Sequence, residues 1–205
     1  MLEFLACRLG RNDEVPNVEL AEKLCGSMNK KGIREIVRGL KSNDQAVAND
    51  CSKVLHVIGQ RKPTLIAAYA DDFLTALSSK NNRIVWGSMQ ALACITPWAP
   101  DTIYRRLPEV LAAYEKGSVI TIDHSISVFA HLCNANDDYR TRIFPILLAH
   151  LAKCRAKEIP QHAERMAVCI DSANKKAFIK ALEARLHELS ETQNRRVMKL
   201  MKMFL

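Results

Sequence analysis

Glycine and proline are scarce in this chain, seven of each in 205 residues, and aromatic residues make up only 6%. So few turn formers and so few strand-favouring rings argue against a β-sandwich or barrel and for helices. No apolar run approaches the ~18 residues that a membrane-spanning helix needs. The seven cysteines at 7, 25, 51, 94, 133, 154 and 169 include no CxxC. Their odd number and placement on apolar helical faces predict reduced, buried thiols and no zinc site. No glycine-rich phosphate loop, HExxH or GxSxG is present, so no cofactor is expected. The sequence begins MLEFLACRLGRNDE, with Glu3 where a secretory leader would carry positive charge. The expectation is a cytoplasmic protein.

What the chain does contain is a repeat of 37 residues. Leu40, Leu77, Tyr114 and Leu151 are each 37 apart, as are Val37, Leu74, Leu111 and Leu148, and Leu55, Leu92, Phe129 and Met166. A period of this size means stacked copies of one supersecondary unit. Within the first copy, Ile33, Ile36, Val37 and Leu40 recur at helical spacing. Ser42-Asn43-Asp44 then offers a turn and a cap. Val47, Cys51, Val54, Leu55 and Ile58 form the stripe of a second helix. The prediction is an all-α, right-handed solenoid of helix pairs, with no sheet and one domain over 1–205. Residues 1–31 form an N-terminal cap, 32–180 four repeats, and 181–205 a partial closing repeat.

Pro108 and Pro145 fall at one place in neighbouring units, and Asp44 and Asn81 stand at successive inter-helix turns. With the helix-pair period, these features make residues 32–205 similar to the HEAT repeat family within the armadillo-like superhelices. The resemblance implies an architecture and binding surfaces, and no particular chemistry.

In such a stack the second helices line the concave face. The columns opposite the apolar stripe read Asn49, Trp86, Asp123 and Pro160; Asp50, Gly87, His124 and Gln161; Lys53, Gln90, Ser127 and Glu164; and Ala46, Arg83, Ile120 and Lys157. Trp86 stands out, because a large ring on an outward face needs a reason. The expected binding residues are Trp86, Gln90, Asp123, His124, Ser127, Lys53 and Arg83, with Gly87 leaving room beside the indole. Asp123, His124 and Ser127 lack the nucleophile and oxyanion geometry of a hydrolase, so no catalytic residue is assigned. Trp98, in a loop between prolines 97 and 100, is expected to plug the seam between repeats.

The net charge is +8. Basic pairs at Arg61-Lys62, Arg105-Arg106, Lys175-Lys176 and Arg195-Arg196 could line one edge and follow a phosphate backbone. The leading expectation is a non-enzymatic scaffold for another protein or a peptide. The alternative is nucleic-acid binding, with the helical-repeat alkylpurine DNA glycosylases as a fold-level analogy for Trp86, Trp98 and Asp123.

Overall fold

The computed structural model describes residues 1–204, which contain twelve α-helices and no strand. Two 3-10 turns, Leu2–Phe4 and Ala6–Leu9, open the chain and lead to α1 (Val15–Ser27). The first helix pair is α2 (Lys30–Gly39) and α3 (Gln45–Arg61). Next come α4 (Ala70–Ala76) with α5 (Asn82–Ile95), and then α6 (Pro100–Arg105), α7 (Leu107–Lys116) and α8 (Val119–Ala135). The remainder is α9 (Asp137–Lys153), α10 (Ile159–Met166), α11 (Lys175–Glu183) and α12 (Glu191–Met201). The chain divides into two compact units, Met1–Ser125 and a second from Ile126 onward.

The predicted caps account for several helix starts. The Asp44 carboxylate accepts from the backbone N–H groups of Ala46 and Val47, and the Asn81 side chain from that of Arg83. Each satisfies donors that the first turn leaves orphaned. Ser190 and Gln193 form a capping box at α12.

The register of the core follows the sequence period. Leu55, Leu92, Phe129 and Met166 are all buried, and so is the column of Ile36, Phe73, Val110 and Leu147. One column drifts: Val37 and Leu74 are buried, but Leu111 and Leu148 are only half-buried. In the later units Val110 and Leu147 carry the load. Prolines explain part of this. Pro108 lies in the first turn of α7, just after a break at Arg106, so it starts a helix rather than kinking one. Pro145 does lie inside α9.

Within the N-terminal cap, α1 begins at Val15, with Pro16 in its first turn. A proline there costs nothing, since its missing N–H would have no partner. Gly59 lies inside α3, which runs on to Arg61. Its role is close packing: a Cβ there would sit 3.1 Å from the Cβ of Cys94. The second helix of the fourth pair starts at Ile159, with Pro160 in its first turn.

Candidate functional site

The outward columns of α3 and α5 meet in the first unit around a cavity of about 470 Å³. Asn49, Lys53 and His56 come from α3, and Arg83, Trp86 and Gln90 from α5. The residues are one or two turns apart on each helix, so one face supplies all of them. The other wall was not anticipated. It is the N-terminal segment, with Cys7 and Arg11 to Glu14.

Hydrogen bonds fasten that segment. Asp50 accepts from the Cys7 backbone N–H at 2.8 Å, and buried Asn17 accepts from the Ala6 N–H at 3.0 Å. Lys53 Nζ lies 2.6 Å from a carboxylate oxygen of Glu14. Columns 50 and 53 of the first repeat thus hold the cap in place instead of standing bare. Arg11 and Asp13 pair with each other at the rim, at 2.8 Å.

Trp86 is half-buried, with its indole on the cavity. Gly87 does not open space beside it. Gly87 is buried, and a Cβ there would lie 1.9 Å from Ser52 Oγ. Its missing side chain lets α5 approach α3, which brings Trp86 next to Asn49 and His56. Asn49 in turn accepts a hydrogen bond from the Asn81 side-chain amide at 3.0 Å. Asn81 therefore caps α5 with its oxygen and orients Asn49 with its nitrogen.

His56 was not picked out by sequence. Burial, and then the Lys53 charge beside it, push its pKa down to about 4. It is neutral at physiological pH. Its ring lies edge-on to His124, with centroids 6.3 Å apart. The periodic columns contained the signal: position 56 belongs to the same face as 49 and 53.

The other expected residues are placed differently. Lys53, Arg83, Trp86 and Gln90 line the cavity together; Asp123 and His124 do not, although His124 touches His56. Ser127 belongs to the second unit, where its hydroxyl accepts from Arg165 at 2.6 Å. Trp98 does not plug a seam; it is 52% exposed.

Electrically the cavity is close to balanced, with Arg11, Lys53 and Arg83 against Asp13, Glu14 and Asp50. Arg83 is the cation on this wall whose side chain has no ion pair among the described residues. The basic pairs at the helix junctions are largely engaged internally. Arg61 pairs with Glu22, Arg106 with Asp71 and Glu109, Arg195 with Glu191 and Arg196 with Glu164. Lys62 and Lys175 donate to the backbone carbonyls of Cys25 and Phe204.

The cavity brings together no three donors suited to a metal; the one such group among the described residues is elsewhere. All seven cysteines are free thiols. No described helix is long and apolar enough to cross a membrane.

No family model and no curated protein matches the sequence. Solved structures do. A designed armadillo repeat protein in complex with the peptide (KR)4 superposes with a TM-score of 0.68 at 13% identity, over 91% of this chain and 86% of that one. A computationally designed armadillo repeat protein for modular peptide recognition gives 0.67 at 11% identity, over 93% and 92%. An engineered protein from a structural genomics consortium gives 0.58 at 17% identity, over 98% and 96%. At these identities the likeness concerns architecture alone. The chain has the all-α fold of an armadillo- or HEAT-like helical-repeat solenoid.

Proposed function

We propose that the chain is a non-enzymatic peptide-binding scaffold, and that the cavity between α3, α5 and the N-terminal segment holds one side chain of the bound peptide. The observation that carries this is Trp86. An indole on a cavity wall, beside the amides of Asn49 and Gln90 and the neutral His56, offers an apolar face next to hydrogen-bonding groups. Such a mixture suits a peptide, whose backbone needs donors and acceptors and whose side chain needs a flat apolar contact.

The charges narrow the partner. One structural neighbour was solved with a basic peptide. This chain carries +8 and places Arg83 at its cavity, so a basic peptide would be repelled. The peptide proposed is neutral or acidic, with an aromatic or aliphatic anchor against Trp86 and a carboxylate near Arg83. Lys53, Gln90 and Arg83 contribute from the walls. Asp123 and His124 stay candidates for contacts further along a longer ligand.

Selection from a random peptide display library tests this. The purified chain should enrich a consensus with one apolar anchor and at least one acidic residue. The same peptides should fail to enrich on Trp86→Ala. Enrichment of identical peptides on both proteins, or none on either, would contradict the assignment.

A further inference from the structure

The fourth helix pair breaks a packing rule that the other three obey. Stepping by 37 along the first helices gives Gly39, Ala76, Ala113 and then His150. Along the second helices the same step gives Cys51, Ser88, Ser125 and then His162. In the first pair these positions face each other closely: a Cβ on Gly39 would lie 2.3 Å from Cys51 Sγ. Small residues fit such a seam. The fourth pair instead buries two imidazoles there, His150 8% exposed and His162 0%. Burying polar rings is costly unless something bonds them.

His150 Nε2 and His162 Nδ1 lie 2.8 Å apart. A third donor joins them. Cys154 follows His150 by four residues and is 9% exposed, and its sulfur and one nitrogen of each ring all lie within 4.8 Å of one another. We propose that His150, Cys154 and His162 form a zinc-binding site, with water in the fourth position. This does not depend on the peptide reading.

The donor set is the argument. Two imidazoles and a thiolate suit a borderline cation such as Zn²⁺ and disfavour Mg²⁺ or Ca²⁺, which take oxygen. Tetrahedral zinc with nitrogens at about 2.0–2.1 Å sets them about 3.3 Å apart, so the rings would move apart by about 0.5 Å, and sulfur at about 2.3 Å sets each N···S separation at about 3.6 Å, inside the 4.8 Å that encloses the three atoms. On binding, the proton of the shared hydrogen bond moves to the other nitrogen of its own ring, which frees both facing nitrogens for two Zn–N bonds, and the Cys154 thiol releases its proton to solvent as the Zn–S bond forms. No electron is transferred.

The backbone around the thiol is already held. The Cys154 N–H donates to the His150 carbonyl at 2.8 Å, which ends α9 and fixes the spacing of these two donors. The Arg185 guanidinium donates to the Leu151 carbonyl at 2.7 Å and the Cys154 carbonyl at 2.9 Å. Glu188 pairs with Arg185 and holds it in turn. Such outer contacts are what position metal ligands.

The test is a zinc titration of the chelator-stripped full chain against a chromophoric chelator, repeated with Co²⁺ as a spectroscopic probe. One equivalent should bind. The Co²⁺ form should show a thiolate-to-metal charge-transfer band together with the visible bands of a tetrahedral site. Cys154→Ser should abolish the charge-transfer band and weaken zinc by at least about a hundredfold. The double variant His150→Ala/His162→Ser restores the small residues that the same two columns carry at Ala113 and Ser125, and should bind no zinc while remaining folded by circular dichroism. Less than one equivalent on the wild type would overturn the proposal. So would zinc binding that survives in both variants, because the metal would then sit on other thiols and histidines.

Discussion

The helix pairs α2/α3 and α9/α10 follow one 37-residue plan with opposite contents. In the first, the seam between the helices is small and tight, Gly39 against Cys51, and the polar groups stand on the outer face of α3, where Asn49, Lys53 and His56 border a cavity. In the second, the seam itself is polar, with His150 against His162. The repeat therefore dictates where backbones run and leaves open which face of a helix carries chemistry. A buried seam tolerates polar rings only when they bond to something, whereas an outer face tolerates almost any residue. Polar residues in the seam are thus the stronger sign of selection for a purpose, and those on the outer face need a cavity before they mean anything.

The largest effect expected in this comparison is on the buried column that the period repeats in every pair. Leu92 occupies the column of Leu55, Phe129 and Met166, and Leu92→Ala should cost roughly 2–5 kcal/mol in chemical denaturation. A loss under about 1 kcal/mol would show that this column does not carry the core.

Acid should weaken the first pair through His56. Its folded pKa, about 4, lies below the unfolded value of about 6.5. The unfolded chain therefore binds this proton more readily. Stability from this group is fully present above pH 6.5 and falls as pH drops toward 4. The wild type should lose up to about 3 kcal/mol over that window relative to His56→Asn. Parallel pH–stability curves for the two proteins would mean that His56 is solvated and the cavity wall is looser than described.

Next in size is Gly39→Ala, which forces a methyl group onto Cys51 and should cost roughly 1–3 kcal/mol. Adding Cys51→Ala should recover most of the loss, because the sulfur is the obstacle. No recovery in the double variant would place the strain in the backbone instead.

The smallest effect on stability is that of Trp86→Ala, at most about 1 kcal/mol for a half-buried side chain on an outer face. A loss near that of Leu92→Ala would make Trp86 a core residue and remove it from the binding site.

Much of this architecture is legible in the sequence, because apolar spacing repeats wherever the helices bury a stripe. The columns also placed Lys53, Arg83, Trp86 and Gln90 on one face, and the cavity brings those four together. Three features escaped for physical reasons. The N-terminal wall falls outside the period, so no column could assign Cys7 or Arg11 to Glu14 to the site. Gly87 reads as open space in one dimension, but the contact that uses it is with Ser52 on another helix. His150, Cys154 and His162 lack the paired-cysteine spacing by which zinc sites are recognised. They come from the end of one helix and the middle of the next, and only folding brings their donor atoms within 4.8 Å.

The central claim is that Trp86 anchors a peptide in the cavity of the first unit. Fluorescence anisotropy of a labelled peptide from the selection, titrated with wild type and with Trp86→Ala, tests it most directly. The account predicts saturable binding by the wild type and a loss of about 30-fold or more in the variant, the scale of a 2 kcal/mol hot spot. Equal dissociation constants for the two proteins, with both shown to be folded, would contradict it.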